Sequence, residues 1–202
     1  DAIERQVKIL KEMGCNAIRV THNPAASALL DICNEYGILV INEAFDGWTE
    51  YKNGNVNDYT SHFEETITAD NQIINGEAGM QWGEFDVKAM VDGAKNDPSV
   101  IMWSIGNEID EGVSGSTTHY VNVAGNIINW IQEVDTSRPI TNGDNRKNTN
   151  PSAIISQINQ LIYESGGVVG MNYASNSQTV SMHNAYPDWP LYGSEKIGRA
   201  SC

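Results

Sequence analysis

In the stretch VIMWSIGNEID, residues 100–110, a run suited to a buried strand gives way to Gly106, Asn107 and Glu108. Val100, Ile101, Met102, Trp103 and Ile105 supply the apolar character that a covered strand needs. An amide and a carboxylate are costly to bury unpaired, so a strand that ends in them either hands them to water or aims them at something. The residues on either side of the stretch decide which.

Upstream, Phe85, Met90, Val91 and Ala94 predict a helix stopped at Asn96, Asp97 and Pro98. A polar segment over residues 49–83 precedes it, too long for an ordinary connection and expected to be a functional loop. Before that, ILVI (38–41) has the continuous apolar character of a strand buried on both faces, the signature of a parallel sheet, and it leads into Asn42 and Glu43. Leu29, Ile32, Cys33 and Tyr36 predict a helix with Pro24 in its first turn and Gly37 at its close. NAIRV (16–20) reads as a strand, and Ile3, Val7, Leu10 and Met13 as a helix capped by Gly14.

Downstream the alternation continues. Val121, Ala124, Ile128, Ile131 and Val134 form a helical stripe, and Arg138 and Pro139 lead into the strand PIT (139–141). Ile154, Ile158, Leu161 and Ile162 predict the next helix, VVGM (168–171) a strand, Gln178–Tyr186 a weaker helix and PLYG (190–193) the last strand. Six strands separated by helices, without an internal repeat or a composition break, imply one parallel sheet with right-handed crossovers.

An open sheet that binds nucleotides would show a glycine-rich phosphate loop after an early strand, and no strand here is followed by GxGxxG or GxxxxGKS. A barrel instead gathers its chemistry on the C-terminal ends of many strands. Those ends carry Arg19 and His22; Glu43 with Asp46 and Trp48; Asn107 and Glu108; Asp144 and Asn145; Asn172 and Tyr173; Ser194 and Glu195. Six polar ends pointing to one rim exceed what solvation alone requires, which favours the barrel.

Composition narrows the partner. With 40% hydrophobic and 19% charged residues over 202 positions, the chain suits one globular domain. A net charge of −14 argues against nucleic acid or an anionic membrane and favours a neutral or cationic ligand. No apolar run approaches the ~18 residues of a membrane span, and the N-terminus lacks the layout of a signal peptide. Because the chain starts at DAIERQ, within a helix and without methionine, its first residue is expected to be a boundary made by processing or cloning. Cys15, Cys33 and Cys202 show no CxxC spacing and are read as two core thiols and one terminal thiol, not a zinc site.

A rim of carboxylates, amides and aromatics, without metal-ligand spacing, suits a neutral polyhydroxylated ligand, with Trp48 or Trp82 as a platform for sugar C–H faces. Cleaving a glycosidic bond needs two carboxyl groups, one to protonate the leaving oxygen and one to attack the anomeric carbon. The stretches MGCNAIRVTHNP, EYGILVINEAFDGW, NDPSVIMWSIGNE and LYGSE resemble the catalytic barrel of glycoside hydrolase family 2, especially its bacterial β-galactosidase-like members. The resemblance implies a TIM barrel and a retaining β-glycosidase, with Glu108 as acid/base and Glu195 as nucleophile; no cofactor is expected and no residue is assigned as a metal ligand. It further implies that Asn107 bonds the sugar 2-hydroxyl, that His22, Asp46 and Trp48 lie at the substrate, and that Tyr173 stands beside the nucleophile.

The residues themselves leave Glu43 open between a structural partner of Arg19 and a substrate contact, and Tyr173 between core packing and support of Glu195. Arg19 is expected to support the constellation, Trp103 to be core, and Asp144 is the weakest rim candidate. On the same resemblance the first and last of the barrel's eight strands are missing, and flanking β-sandwich domains belong to a larger parent chain. The ending EKIGRASC also departs from the small, hydroxyl-rich sequence expected after the nucleophile. A β-galactoside is the expected substrate. A β-glucuronidase or β-mannosidase, or an inactive fragment with at most weak sugar binding, is the alternative.

Overall fold

The computed structural model describes residues 2–71, 77–111, 113 and 117–195. Strands and helices alternate: α1 (Ala2–Glu12), β1 (Ala17–Val20), α2 (Ser27–Tyr36), β2 (Leu39–Glu43), α3 (Trp82–Ala94), β3 (Val100–Asn107), α4 (Thr117–Val134), β4 (Ile140–Gly143), α5 (Ile154–Glu164), β5 (Val169–Asn172), α6 (Asn176–Ala185) and β6 (Leu191–Glu195). All pairs between these strands are parallel, in the orders β1-β2-β3-β4 and β5-β6. Backbone bonds from Val168 to Ile140, Asp144 to Gly170 and Asn172 to Asp144 join the two sets into one sheet. Neighbours in space are thus neighbours in sequence, with no reversal of strand order of the kind that makes a doubly wound sheet. This is a TIM-barrel architecture with six of the eight strands among the described residues.

Packing follows the two-residue alternation of the strands. Val40, Trp103 and Ile105 face the helices and are fully buried with Val91 of α3 and Ala124, Ile127 and Ile131 of α4. Leu39 shares its face with Ile41 and Glu43, toward the barrel interior, and is 40% exposed although the run ILVI reads as covered throughout. The interior is not closed around it by the described strands.

Three local expectations are corrected. Pro24 lies outside α2, whose N-cap is the extended Ala26; the Ala25 N–H donates to Asn42 Oδ1 at 2.9 Å, so the lead-in is held along the end of β2. α1 ends at Glu12 and buries only Val7, leaving Met13 73% exposed. Cys33 is buried, but Cys15 is only half-buried, and Cys202 and the stretch after Glu195 lie outside the described residues.

The described residues of segment 49–83 are built rather than loose. They form two short 3-10 turns, Lys52–Gly54 and Tyr59–Ser61, and a bridge from Thr66 to Gln81. Phe45, directly after β2, stacks on Tyr59 at 5.3 Å and meets the buried Phe63 edge-on at 5.2 Å, which seats the segment on the barrel. α6 has little apolar contrast between its faces; a reciprocal Ser175–Gln178 capping box and the buried Met182 hold it.

Candidate active site

Arg19 is the hub of the barrel mouth. Its side chain is only 6% exposed, and a buried guanidinium needs its charge and its donors met. Glu43, itself fully buried, accepts from Arg19 Nε at 2.8 Å and Nη2 at 2.5 Å, from Ser104 Oγ at 2.6 Å, and pairs with His22 Nδ1 at 2.7 Å. So engaged, Glu43 is an anchor for Arg19 and His22 and does not face a ligand. The bond to Glu43 raises the His22 pKa above its ordinary value, against the lowering effect of burial. A third of the His22 side chain remains exposed at the rim.

The end of β3 is tied across the mouth. Asn107 Oδ1 accepts from Arg19 Nη2 at 3.0 Å and from Asn172 Nδ2 at 2.9 Å, while Asn107 Nδ2 donates to Asp46 at 3.1 Å. The amide's second N–H makes no hydrogen bond among the described residues. Glu108 comes next, with φ at +48°, in the left-handed region that costs a residue with a Cβ about 1 kcal/mol. Its backbone N–H donates to Gly143 O at 2.7 Å and its Oε1 accepts from Asn172 Nδ2 at 2.9 Å. Asn172, at the end of β5, in turn accepts from Ser194 Oγ at 2.7 Å.

Across the mouth, Glu195 ends β6. Tyr173 Oη donates to its Oε1 at 2.5 Å, and Arg19 Nη1 lies 3.6 Å from its Oε2. Tyr173 also has a left-handed backbone, φ +56°, and is 39% exposed, so it sits at the mouth and not in the core. Its bond to Glu195 pushes the phenol pKa up to about 12. Arg19 and Asn172 therefore connect both carboxylates through strands β1 and β5.

Several rim candidates stand elsewhere. Trp48 is fully buried; its Nε1 donates to Ile105 O at 2.8 Å and its ring lies 6.1 Å from that of Tyr120, so it is not a sugar platform. The indole is consumed in fastening the segment after β2 to β3. Trp82 is half-buried at the start of α3, edge-on to Phe85 at 5.9 Å. Asp144 is fully buried and turned away from the mouth, accepting from the backbone of Arg146 and Lys147 and from Asn159. Burial pushes its pKa up despite those bonds. Trp103 is core, donating to Asp135 at 2.9 Å.

Two contributors do more than the sequence analysis assigned them. Asn172 is one more strand-end amide until β3 and β5 are placed in space, and Lys52 lies inside the polar segment. Lys52 is 8% exposed and donates to Asn107 O at 2.5 Å and Asp46 Oδ1 at 2.9 Å. Burial raises the Asp46 pKa, but the bonds from Lys52 and Asn107 outweigh it and leave it lowered. A cavity of about 810 Å³ opens beside His22 and Asp46 and runs over Phe45 toward Met90 and Ala94 of α3. Glu108 and Glu195 do not line it; the two carboxylates stand at the mouth to one side.

Residues 1–193 match the family described as glycosyl hydrolases family 2, TIM barrel domain. The β-galactosidase BoGH2A of Bacteroides ovatus is 32% identical over 94% of this chain, and a protein of Formosa agariphila named as a putative β-glucuronidase is 33% identical over 68%. A solved structure of a family 2 member from Bacteroides cellulosilyticus superposes with a TM-score of 0.74 at 33% identity over 97% of the chain. The chain spans 23% of the Bacteroides ovatus protein, 11% of the Formosa agariphila protein and 21% of the Bacteroides cellulosilyticus chain.

Proposed function

The chain belongs to glycosyl hydrolase family 2, within its TIM barrel domain, and from that premise we propose that it is the catalytic barrel segment of a larger, multidomain retaining β-galactosidase. The observation that carries the reading is the bonded path from Glu108 through Asn172 and Arg19 to Glu195, which brings two carboxylates on β3 and β6 to one mouth. In the first step Glu195 attacks the anomeric carbon while Glu108, in its acid form, gives its proton to the departing oxygen. The C–O bond to the leaving group breaks and a glycosyl ester on Glu195 forms. In the second step Glu108 takes a proton from water, the water attacks the same carbon, and the ester is released.

Asn107 offers its free amide N–H to the 2-hydroxyl, and His22 and Asp46 meet the sugar from the β1 and β2 side. A neutral galactoside suits a chain of net charge −14 better than a glucuronide, whose carboxylate the field would repel. The names of similar proteins, β-galactosidase in one case and putative β-glucuronidase in another, frame the same two choices. Flanking β-sandwich domains complete the parent chain in this reading.

The test uses that full-length parent chain. Glu108→Ala should slow glycosides with poor leaving groups far more than activated aryl glycosides, and azide should restore turnover with a β-glycosyl azide as product. A 2-fluoro galactoside should label Glu195. Retention further requires the two carboxyl groups to lie about 5 to 5.5 Å apart in the ligand-bound enzyme. An α-azide, or label on Glu43, Asp46 or Asp144, overturns the assignment.

A further inference from the structure

We propose that Lys52 is a positioning residue for proton transfer, clamping the peptide between Asn107 and Glu108 so that the Glu108 carboxyl meets the leaving oxygen. The inference rests on the reading of Glu108 as the acid/base and adds a role for the segment after β2. A peptide unit is planar, so holding both its ends fixes the whole plate. Lys52 Nζ holds one end, at Asn107 O, 2.5 Å away. Gly143 O holds the other, accepting from Glu108 N–H at 2.7 Å.

A third contact closes the clamp on the side chain. Asp46 Oδ1 accepts from both Lys52 Nζ, at 2.9 Å, and Asn107 Nδ2, at 3.1 Å. One ammonium thus fixes Asn107 directly by its backbone and, through Asp46, by its amide. The need for such a device is visible in the next residue. Glu108 is held at φ +48°, and a side chain leaving a left-handed backbone is aimed by the plate that precedes it. Without Lys52 the plate can tilt about Asn107 ψ and Glu108 φ, relieving the strained angle and swinging the carboxyl. Misplacement by about 1 Å costs up to 10²-fold in rate.

Lys52 itself is 8% exposed and directs its bonds to the protein, and a long cationic side chain is rarely buried unless paired. Its effect therefore falls on the proton transfers of Glu108, to the leaving oxygen in the first step and from water in the second. Proton delivery is on the Glu108 side, whereas attack by Glu195 depends on β6, Tyr173 and Arg19.

The experiment compares Lys52→Met and Glu108→Ala with wild type in the full-length parent chain, using a poor-leaving-group galactoside and an activated aryl galactoside. For Lys52→Met the expected result is a fall of about 10- to 100-fold in kcat/KM, which reports the first step, with the poor leaving group and less than about 3-fold with the activated one. A 2-fluoro galactoside with an activated leaving group should still label Glu195 to completion, which also shows that the mouth is folded. If Lys52→Met does not fold, Lys52→Gln, which keeps one donor for Asn107 O, should show the same leaving-group dependence more weakly. Equal losses of kcat/KM on both substrates, or no loss on either, overturns the clamp. If Glu108→Ala shows leaving-group dependence and the Lys52 variant does not, the clamp alone falls; if neither does, the acid/base reading falls and takes the clamp with it.

Discussion

At position 143 the backbone of β4 runs within reach of side chains from three other strands. A Cβ there would stand 2.5 Å from Arg19 Nη2, 2.8 Å from Asn107 Oδ1 and 2.9 Å from Asn172 Oδ1. Glycine is what lets those three groups meet, so Gly143→Ala should cost about 1 to 3 kcal/mol in urea unfolding and, in the parent chain, lower activity more than the stability loss explains. An unchanged denaturation midpoint would contradict the packing. His22 offers a second test at this scale. Its pKa is raised chiefly by the bond to Glu43, so the pair's contribution to stability is full below about pH 6.5 and is lost as pH rises through the higher folded value. The Tm advantage of wild type over His22→Gln should therefore shrink above about pH 6.5. An NMR titration placing the His22 ring below about 6.5 would reverse the expected sign.

Among the elements, the strands were legible because each is a local property: a short apolar run between helical stripes, ending in polar residues. The ends of β2, β3, β5 and β6 gave Glu43, Asn107, Glu108, Tyr173 and Glu195 as rim groups for the same reason. The features that stayed hidden depend on contacts across the sheet. Pro24 signals a helix start, but Asn42 on another strand holds the lead-in extended, so α2 begins at Ser27. Trp48 sits in a stretch that resembles a sugar site, yet only the position of Ile105 O shows that its ring is sealed under the segment. Lys52 has no sequence signature beyond its charge, and Asn172, legible as a rim amide after VVGM, shows its bond to Glu108 only in space. The role of Trp48 as a fastener can be tested directly. Trp48→Phe should cost about 1 to 3 kcal/mol, since the bond to Ile105 O is lost at a buried site, while KM for an aryl galactoside in the parent chain stays within about 2-fold. A rise in KM at unchanged stability would restore the platform role.

For the molecule as a whole, β1 and β6 each have one neighbour in the described sheet, and their outer edges have no strand beside them among the described residues. Free strand edges invite pairing with other chains, while a charge of −14 opposes it. The isolated 202-residue chain is expected to associate more as salt screens that charge, seen by sedimentation, and to take up no stoichiometric 2-fluoro label at Glu195. Full labelling of the isolated chain would show that the described strands suffice for the chemistry. The same chain-order arrangement has a bearing on how the protein is made. Arg19, His22, Glu43 and Ser104 all emerge from the ribosome at least about 90 residues before Glu195, which at roughly 5 to 20 residues per second is on the order of 5 to 20 s. The guanidinium is thus given its counter-ion early in synthesis, and Glu195, the proposed nucleophile, follows it into a socket whose charge is already balanced.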